Sequence, residues 1–198
     1  MLKLRAKRAA MIRMAGVCGI LSQIAGFIVL LAVTSHSPWF SWTENHLSVL
    51  GVRGSASPLF NYGLVIVGIL SLMFVIGLGK SILSGKRLGR VSTASLALGS
   101  CAIGAMGIFP RTIDMPHNCA ALLFFICVPL ALFLIGMAIM TSSEKWPGLL
   151  TLIAGSLMVV VYLVPWPWSG GAIPQTLSYV PWSLWSIVFG TRLLIRPG

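Results

Sequence analysis

Acidic residues are almost absent from this chain. Among 198 residues there are three, Glu44, Asp114 and Glu144, and charged residues of both signs make up only 9%. A soluble domain carries roughly a quarter charged residues, so a chain this poor in charge cannot clothe itself in a water-compatible surface. Cysteine is sparse too. Cys18, Cys101, Cys119 and Cys127 form no C-x-x-C pair, and all lie within or at the edge of apolar runs. That excludes a disulfide framework and a thiol redox motif, leaving cysteine as a small apolar packing residue. The zinc-hydrolase spacings H-x-x-x-H and H-E-x-x-H do not occur, nor does a recognisable serine elbow. Ionisable groups are also missing from the middles of the apolar runs, where polarity is limited to Gln23 and small hydroxyls. A proton-coupled pump would need them there.

What remains is apolar. Hydrophobic residues make up 57% of the chain, and the mean hydropathy is +0.96. Apolar runs recur along the chain, several reaching the roughly 20 residues a helix needs to cross a bilayer. Strands of a membrane barrel would alternate apolar and polar residues, whereas these runs are apolar all round. The expected fold is therefore all-α: a polytopic six-helix bundle forming one transmembrane domain over residues 1–198. Its spans are read at 14–34, 58–79, 91–109, 117–140, 148–164 and 174–194. The first basic stretch, "MLKLRAKRAAMIR", has the look of a signal-peptide start. The apolar run after it is longer than a usual signal core and lacks an A-x-A-like site, so it reads as a retained span.

A formal charge of +11 raises the question of nucleic acid, and its distribution answers it. Lys3, Arg5, Lys7, Arg8 and Arg13 precede the first run. Lys80, Lys86, Arg87 and Arg90 fall between the second and third, Lys145 after the fourth, and Arg192 and Arg196 at the end. The alternate connectors hold only Arg53 and Arg111. Twelve against two is the positive-inside pattern, which places both termini in the cytoplasm of a multi-pass inner-membrane protein. Membrane lipid is the expected partner, nucleic acid is not, and self-association as a homo-oligomer stays open. The third run, "VSTASLALGSCAIGAMGIF", has small residues at helix-packing spacing and reads as a central, closely packed helix. Pro129 is expected to kink the fourth.

This topology collects the chain's polar chemistry on the outer side. Residues 35–57 form an outer connector in which "TENHLSVLG" reads as a short interfacial helix, with Thr43 as N-cap and Gly51 as its stop. Trp39, Phe40 and Trp42 would hold it at the interface. All three histidines and two of the three acids map to this side. Candidate ligand-binding residues are His46, Ser48, Arg53, Asn61, Arg111, Asp114, His117 and Asn118. Several have plainer uses. Asp114 can serve the start of the fourth span or pair with Arg111, Asn61 and Asn118 can link helices, and Ser57 can cap the second span before Pro58. No metal set and no cofactor is assigned. The preferred reading is binding or sensing of a lipid headgroup or other amphiphile. The alternatives are a membrane-embedded lipid hydrolase or transferase, metal-dependent or not, and a scaffold whose polar loops only pack.

Three segments carry a family resemblance: "ENHLSVLGVRGSASPLFNYGLVIVGIL", "GIFPRTIDMPHNCAALLFFICVPLAL" and "AIPQTLSYVPWSLW". Together they resemble the bacterial and archaeal domain-of-unknown-function family 998 over nearly the whole chain. The resemblance implies six spans and no established activity. It marks Leu47, Ser48, Gly51, Leu59, Phe60, Asn61, Gly63, Phe109, Pro110, His117 and Asn118. One departure is expected to matter: the family pattern implies Glu after the Ile-Pro of the last helix, where this chain has Gln175. A looser likeness joins the chain to six-span hydrolases that hold zinc with Ser, Asp and three His, but the H-x-x-x-H element is missing.

Overall fold

A computed structural model describes residues 2–85, 87–141 and 145–197. Lys86, counted above among the basic residues, lies outside the described residues. Six long helices account for most of the chain: α1 (Leu2–Ser35), α2 (Ser57–Lys80), α3 (Arg87–Ile108), α4 (Asp114–Met140), α5 (Lys145–Leu163) and α6 (Ala172–Ile195). A short 3-10 helix, Leu47–Gly51, lies between α1 and α2. No strand occurs among the described residues. Helices are forced on apolar runs like these, because only a helix satisfies its own backbone where water is absent.

Five of the six, α1 to α5, are long and apolar enough to cross a membrane. The protein's exterior agrees: Leu31 is 63% exposed, Leu122 61% and Ile69 55%. In water each such side chain would forgo about 1.5–3 kcal/mol of burial, whereas in hydrocarbon it forgoes nothing. α6 is more polar on average, with Gln175, Ser178, Ser183, Ser186 and Thr191. Most of that polarity is turned inward, Thr191 being exposed. Ser178, Ser183 and Ser186 are buried, while Leu177, Leu184, Val188 and Ile195 are exposed.

Each helix packs against the next in sequence, and α6 packs back on α1, closing a ring. Large side chains fill its inside, chiefly Phe74, Trp182, Trp185 and Phe189, with Trp182, Trp185 and Phe189 stacked in succession. α3 is therefore one stave between α2 and α4 and not the central helix its composition suggested. Its small residues serve lateral approach. A Cβ on Gly68 would lie 2.6 Å from the backbone nitrogen of Gly104, so α2 and α3 meet backbone to backbone. On its other side Ser95 donates to the Cys127 carbonyl at 2.8 Å, just ahead of Pro129, through which α4 continues.

At one end of the ring lie the basic residues of the chain's start and of the α2–α3 connector, with Arg8 donating to the Lys80 carbonyl at 2.6 Å. At the other end lie all three histidines and the α1–α2, α3–α4 and α5–α6 connectors. Here the first connector departs from expectation. Its helix spans only Leu47–Gly51, is 3-10, and has His46 at the N-cap position with no side-chain cap. The cause is competition for acceptors. The Thr43 carbonyl accepts from Gly170 of the α5–α6 connector at 2.8 Å, and the Asn45 carbonyl from Ala172, the first residue of α6, at 2.9 Å. An α-turn begun at Thr43 would send the Leu47 N–H to the Thr43 carbonyl, and that N–H donates to Gln175 Oε1 instead. Instead Asn45 closes a turn on Ser41, accepting that residue's N–H on its side-chain oxygen at 2.9 Å. Ser57 also differs: its hydroxyl donates back to the Gly54 carbonyl at 3.0 Å instead of capping α2.

Candidate functional site

The histidine end of the ring encloses a cavity of about 300 Å³, at the small end of the range usual for ligand sites. Its depth is apolar, walled by Leu64, Val67, Ile103, Met106, Phe124 and Phe125. Its rim is polar, formed by His46, Ser48, Arg111, His117, Asn118 and Gln175. Two connectors and the first turns of α4 and α6 supply that rim.

Arg111, from the α3–α4 connector, donates from Nη1 to the Ser48 hydroxyl at 3.2 Å, joining two connectors 63 residues apart. Gln175, in the first turn of α6, accepts the Leu47 N–H on Oε1 at 2.9 Å. It thereby satisfies a donor that the missing α-turn left open. The His46 ring lies against Gly171, where a Cβ would overlap it, so glycine at 171 lets the ring reach this position. Burial, and then the positive charge of Arg111, hold the His46 imidazole below its ordinary value of 6.5. His46 is accordingly neutral at pH 7. His117 is buried, and its Nδ1 lies 2.9 Å from the Phe109 carbonyl. A carbonyl only accepts, so Nδ1 carries the proton and Nε2 of the neutral ring is left as an acceptor.

Five of the eight candidates thus line one cavity: His46, Ser48, Arg111, His117 and Asn118. Three are placed elsewhere. Asn61 donates to the Gly51 carbonyl at 2.8 Å and ties the 3-10 helix to α2. Arg53 sits 4.6 Å over the Trp39 ring, beside Gly54, whose φ of +89° suits glycine. Asp114 is exposed in the first turn of α4. Two of the polar lining residues are not among those candidates. Gln175 was noticed only as a missing acid, and Tyr179 was not singled out, although the two are one helical turn apart on α6 and both line the cavity.

The electrostatics of the rim are one-sided. Arg111 is a cation, and among the described residues no carboxylate lines the cavity. Among the described residues no group of three or more His, Cys, Asp or Glu is placed to hold a metal ion. The Arg111 charge would oppose a divalent cation beside the two imidazoles.

An all-helical chain with several apolar helices of membrane-crossing length defines a membrane protein. Residues 10–192 match the family described as protein of unknown function (DUF998), and the chain belongs to that family. No curated protein and no solved structure matches it. The segments most specific to the resemblance come together in space. Ser48, Phe60 and Gly63 of the first and His117, Asn118 and Phe124 of the second line the same cavity.

Proposed function

We propose that the protein crosses the cytoplasmic membrane six times with both termini inside, and that its cavity opens on the outer side. There it holds the anionic headgroup of a lipid or other amphiphile, for binding or sensing. The observation that carries this reading is the shape of the chemistry: one uncompensated cation, Arg111, on a polar rim above an apolar chamber. An anion at the rim would gain charge-assisted hydrogen bonds from the guanidinium, each roughly twice as strong as a neutral one. The chain attached to it would gain apolar contact below. The first turns of α4 and α6 add the positive ends of two helices to the same rim. The largely inward polarity of α6 supports the sixth crossing, since its exposed residues are apolar except Thr191. The twelve-to-two division of Lys and Arg supports the orientation. Native mass spectrometry of the purified protein, offered anionic and zwitterionic lipids of matched chains, tests the reading. Retention of the anionic lipid is expected, and indifference to headgroup charge would contradict it.

A second reading rests on His117. With Nδ1 bound to the Phe109 carbonyl, its Nε2 is an available base in the cavity that also holds the Ser48 hydroxyl. Hydrolysis or transfer on the bound headgroup would require Ser48 to leave Arg111 for the imidazole. Headgroup release that disappears in Ser48→Ala while lipid retention persists would favour this reading over binding alone.

A further inference from the structure

A second concavity lies at the basic end of the ring, in the seam where α5 begins and α6 ends. It is an open groove of about 570 Å³, and three cations from the two helices line it: Lys145, Arg192 and Arg196. Among the described residues no carboxylate lines it. Glu44 and Asp114 belong to the opposite end of the ring, and Glu144 and Gly198 lie outside the described residues. Three cations against Glu144, or against Glu144 and a chain-end carboxylate on Gly198, leave the groove net positive.

The groove is apolar on one side. Val188, Thr191, Arg192 and Ile195 recur at three- and four-residue spacing and so share one face of α6. From Arg196 to Val188 that face runs eight residues into the span, about 12 Å at helical rise, and changes from charged to apolar as it goes. Val188 is 57% exposed and Ile195 71%, and at the start of α5 Trp146 is 76% exposed. Such side chains belong in lipid, and tryptophan favours the level of the headgroups. We infer that this groove is a second lipid site, separate from the cavity, and that it seats the phosphate of an anionic glycerophospholipid from the surrounding leaflet. Basic pockets between membrane helices suit such headgroups. The cations of the two helices meet the phosphate, and one acyl chain lies along the Val188 side. A soluble anion would use the cations alone, whereas a phospholipid uses both parts of the groove. The inference rests on α5 and α6 crossing the membrane and not on the headgroup reading of the cavity.

The test titrates the full chain in detergent with phosphatidylglycerol or phosphatidylcholine of identical chains, and native mass spectrometry reads the lipid-bound populations. The comparison is made in wild type and in Arg111→Gln, which lacks the cation of the cavity. In both, phosphatidylglycerol should bind more tightly than phosphatidylcholine. Adding Lys145→Gln/Arg196→Gln to Arg111→Gln should weaken phosphatidylglycerol roughly 20- to 30-fold, about fivefold for each interfacial charge, and leave phosphatidylcholine unchanged. The charge-conserving pair Lys145→Arg/Arg196→Lys should keep the preference, which separates lost charge from lost fold. Four results would overturn the inference. They are a preference absent from Arg111→Gln, one that survives Lys145→Gln/Arg196→Gln in that background, one lost with the charge-conserving pair, and an equal loss from Lys3→Gln/Arg5→Gln. Those last two residues are exposed at the start of α1 and do not line the groove, so an equal loss would assign the lipid to general surface charge. Failure of the cavity reading shows separately, as wild type and Arg111→Gln binding alike.

Discussion

Replacing Gln175 with Glu would change one atom group and cancel the net positive charge of the cavity lining. Gln175 lines the same chamber as Arg111, and its Oε1 accepts the Leu47 N–H at 2.9 Å. A carboxylate can accept that same bond, and more strongly, because the acceptor is then ionised. The anchoring of the 3-10 helix should survive, so thermal stability should hold or rise. Anion binding should not survive. A chamber of about 300 Å³ is on the order of 8 Å across. At that separation a new negative charge opposes a bound anion by about 2 kcal/mol with an effective dielectric near 20. The expected loss is therefore roughly 30-fold in affinity for dodecyl phosphate, with little change for a zwitterionic amphiphile of the same chain. Fluorescence or calorimetric titration in nanodiscs reads both numbers. Equal or tighter anion binding by Gln175→Glu would refute the claim that an uncompensated Arg111 defines the site. So would a parallel loss for both amphiphiles, because that would point to disrupted packing.

Three further outcomes follow from the same geometry. Because burial and Arg111 hold His46 below 6.5, its neutral form is favoured in the fold, and its contribution to stability is full above pH 6.5 and lost as pH falls through the lowered value. A bound anion offsets Arg111 and eases protonation, so by linkage anion affinity should rise as pH drops below about 6.5, and His46→Gln should flatten that profile. Gly68→Val should wedge α2 from α3 against the Gly104 backbone, costing about 1–3 kcal/mol and lowering the unfolding midpoint in detergent. In hydrogen exchange within lipid, the amides of Leu47, Gly170 and Ala172, each bound across connectors, should exchange slowly. Fast exchange there would show that the connectors do not brace one another.

How much of this was legible in the sequence depends on the range of the interaction responsible. The six helical runs were readable, because apolar length and flanking charge are local properties. The expected run at 117–140 and the helix Asp114–Met140 differ by three residues at one end only. The connector was legible as ordered but not in its form. Thr43 and Asn45 spend their carbonyls on Gly170 and Ala172, and a pairing so distant in sequence leaves no local sign. Asn61 looked like a site residue because amides near helix starts serve sites and packing alike, and its bond to Gly51 places it in packing. The small-residue pattern of α3 correctly signalled close approach, yet it could not say that the approach was sideways within a ring. Tyr179 was missed because one tyrosine among tryptophans and serines reads as interfacial. Its spacing from Gln175, four residues on one helix, was the available signal.

The central claim is that Arg111 recognises an anion on the rim of an apolar chamber. Titrating dodecyl phosphate and dodecyl phosphocholine into wild type and Arg111→Gln tests it most directly. The account predicts that wild type prefers dodecyl phosphate and that Arg111→Gln loses this preference, by roughly 10- to 100-fold for a charged hydrogen-bond donor, while phosphocholine binding is unaltered. Equal affinity of wild type for the two amphiphiles, or a preference that Arg111→Gln leaves intact, would contradict it.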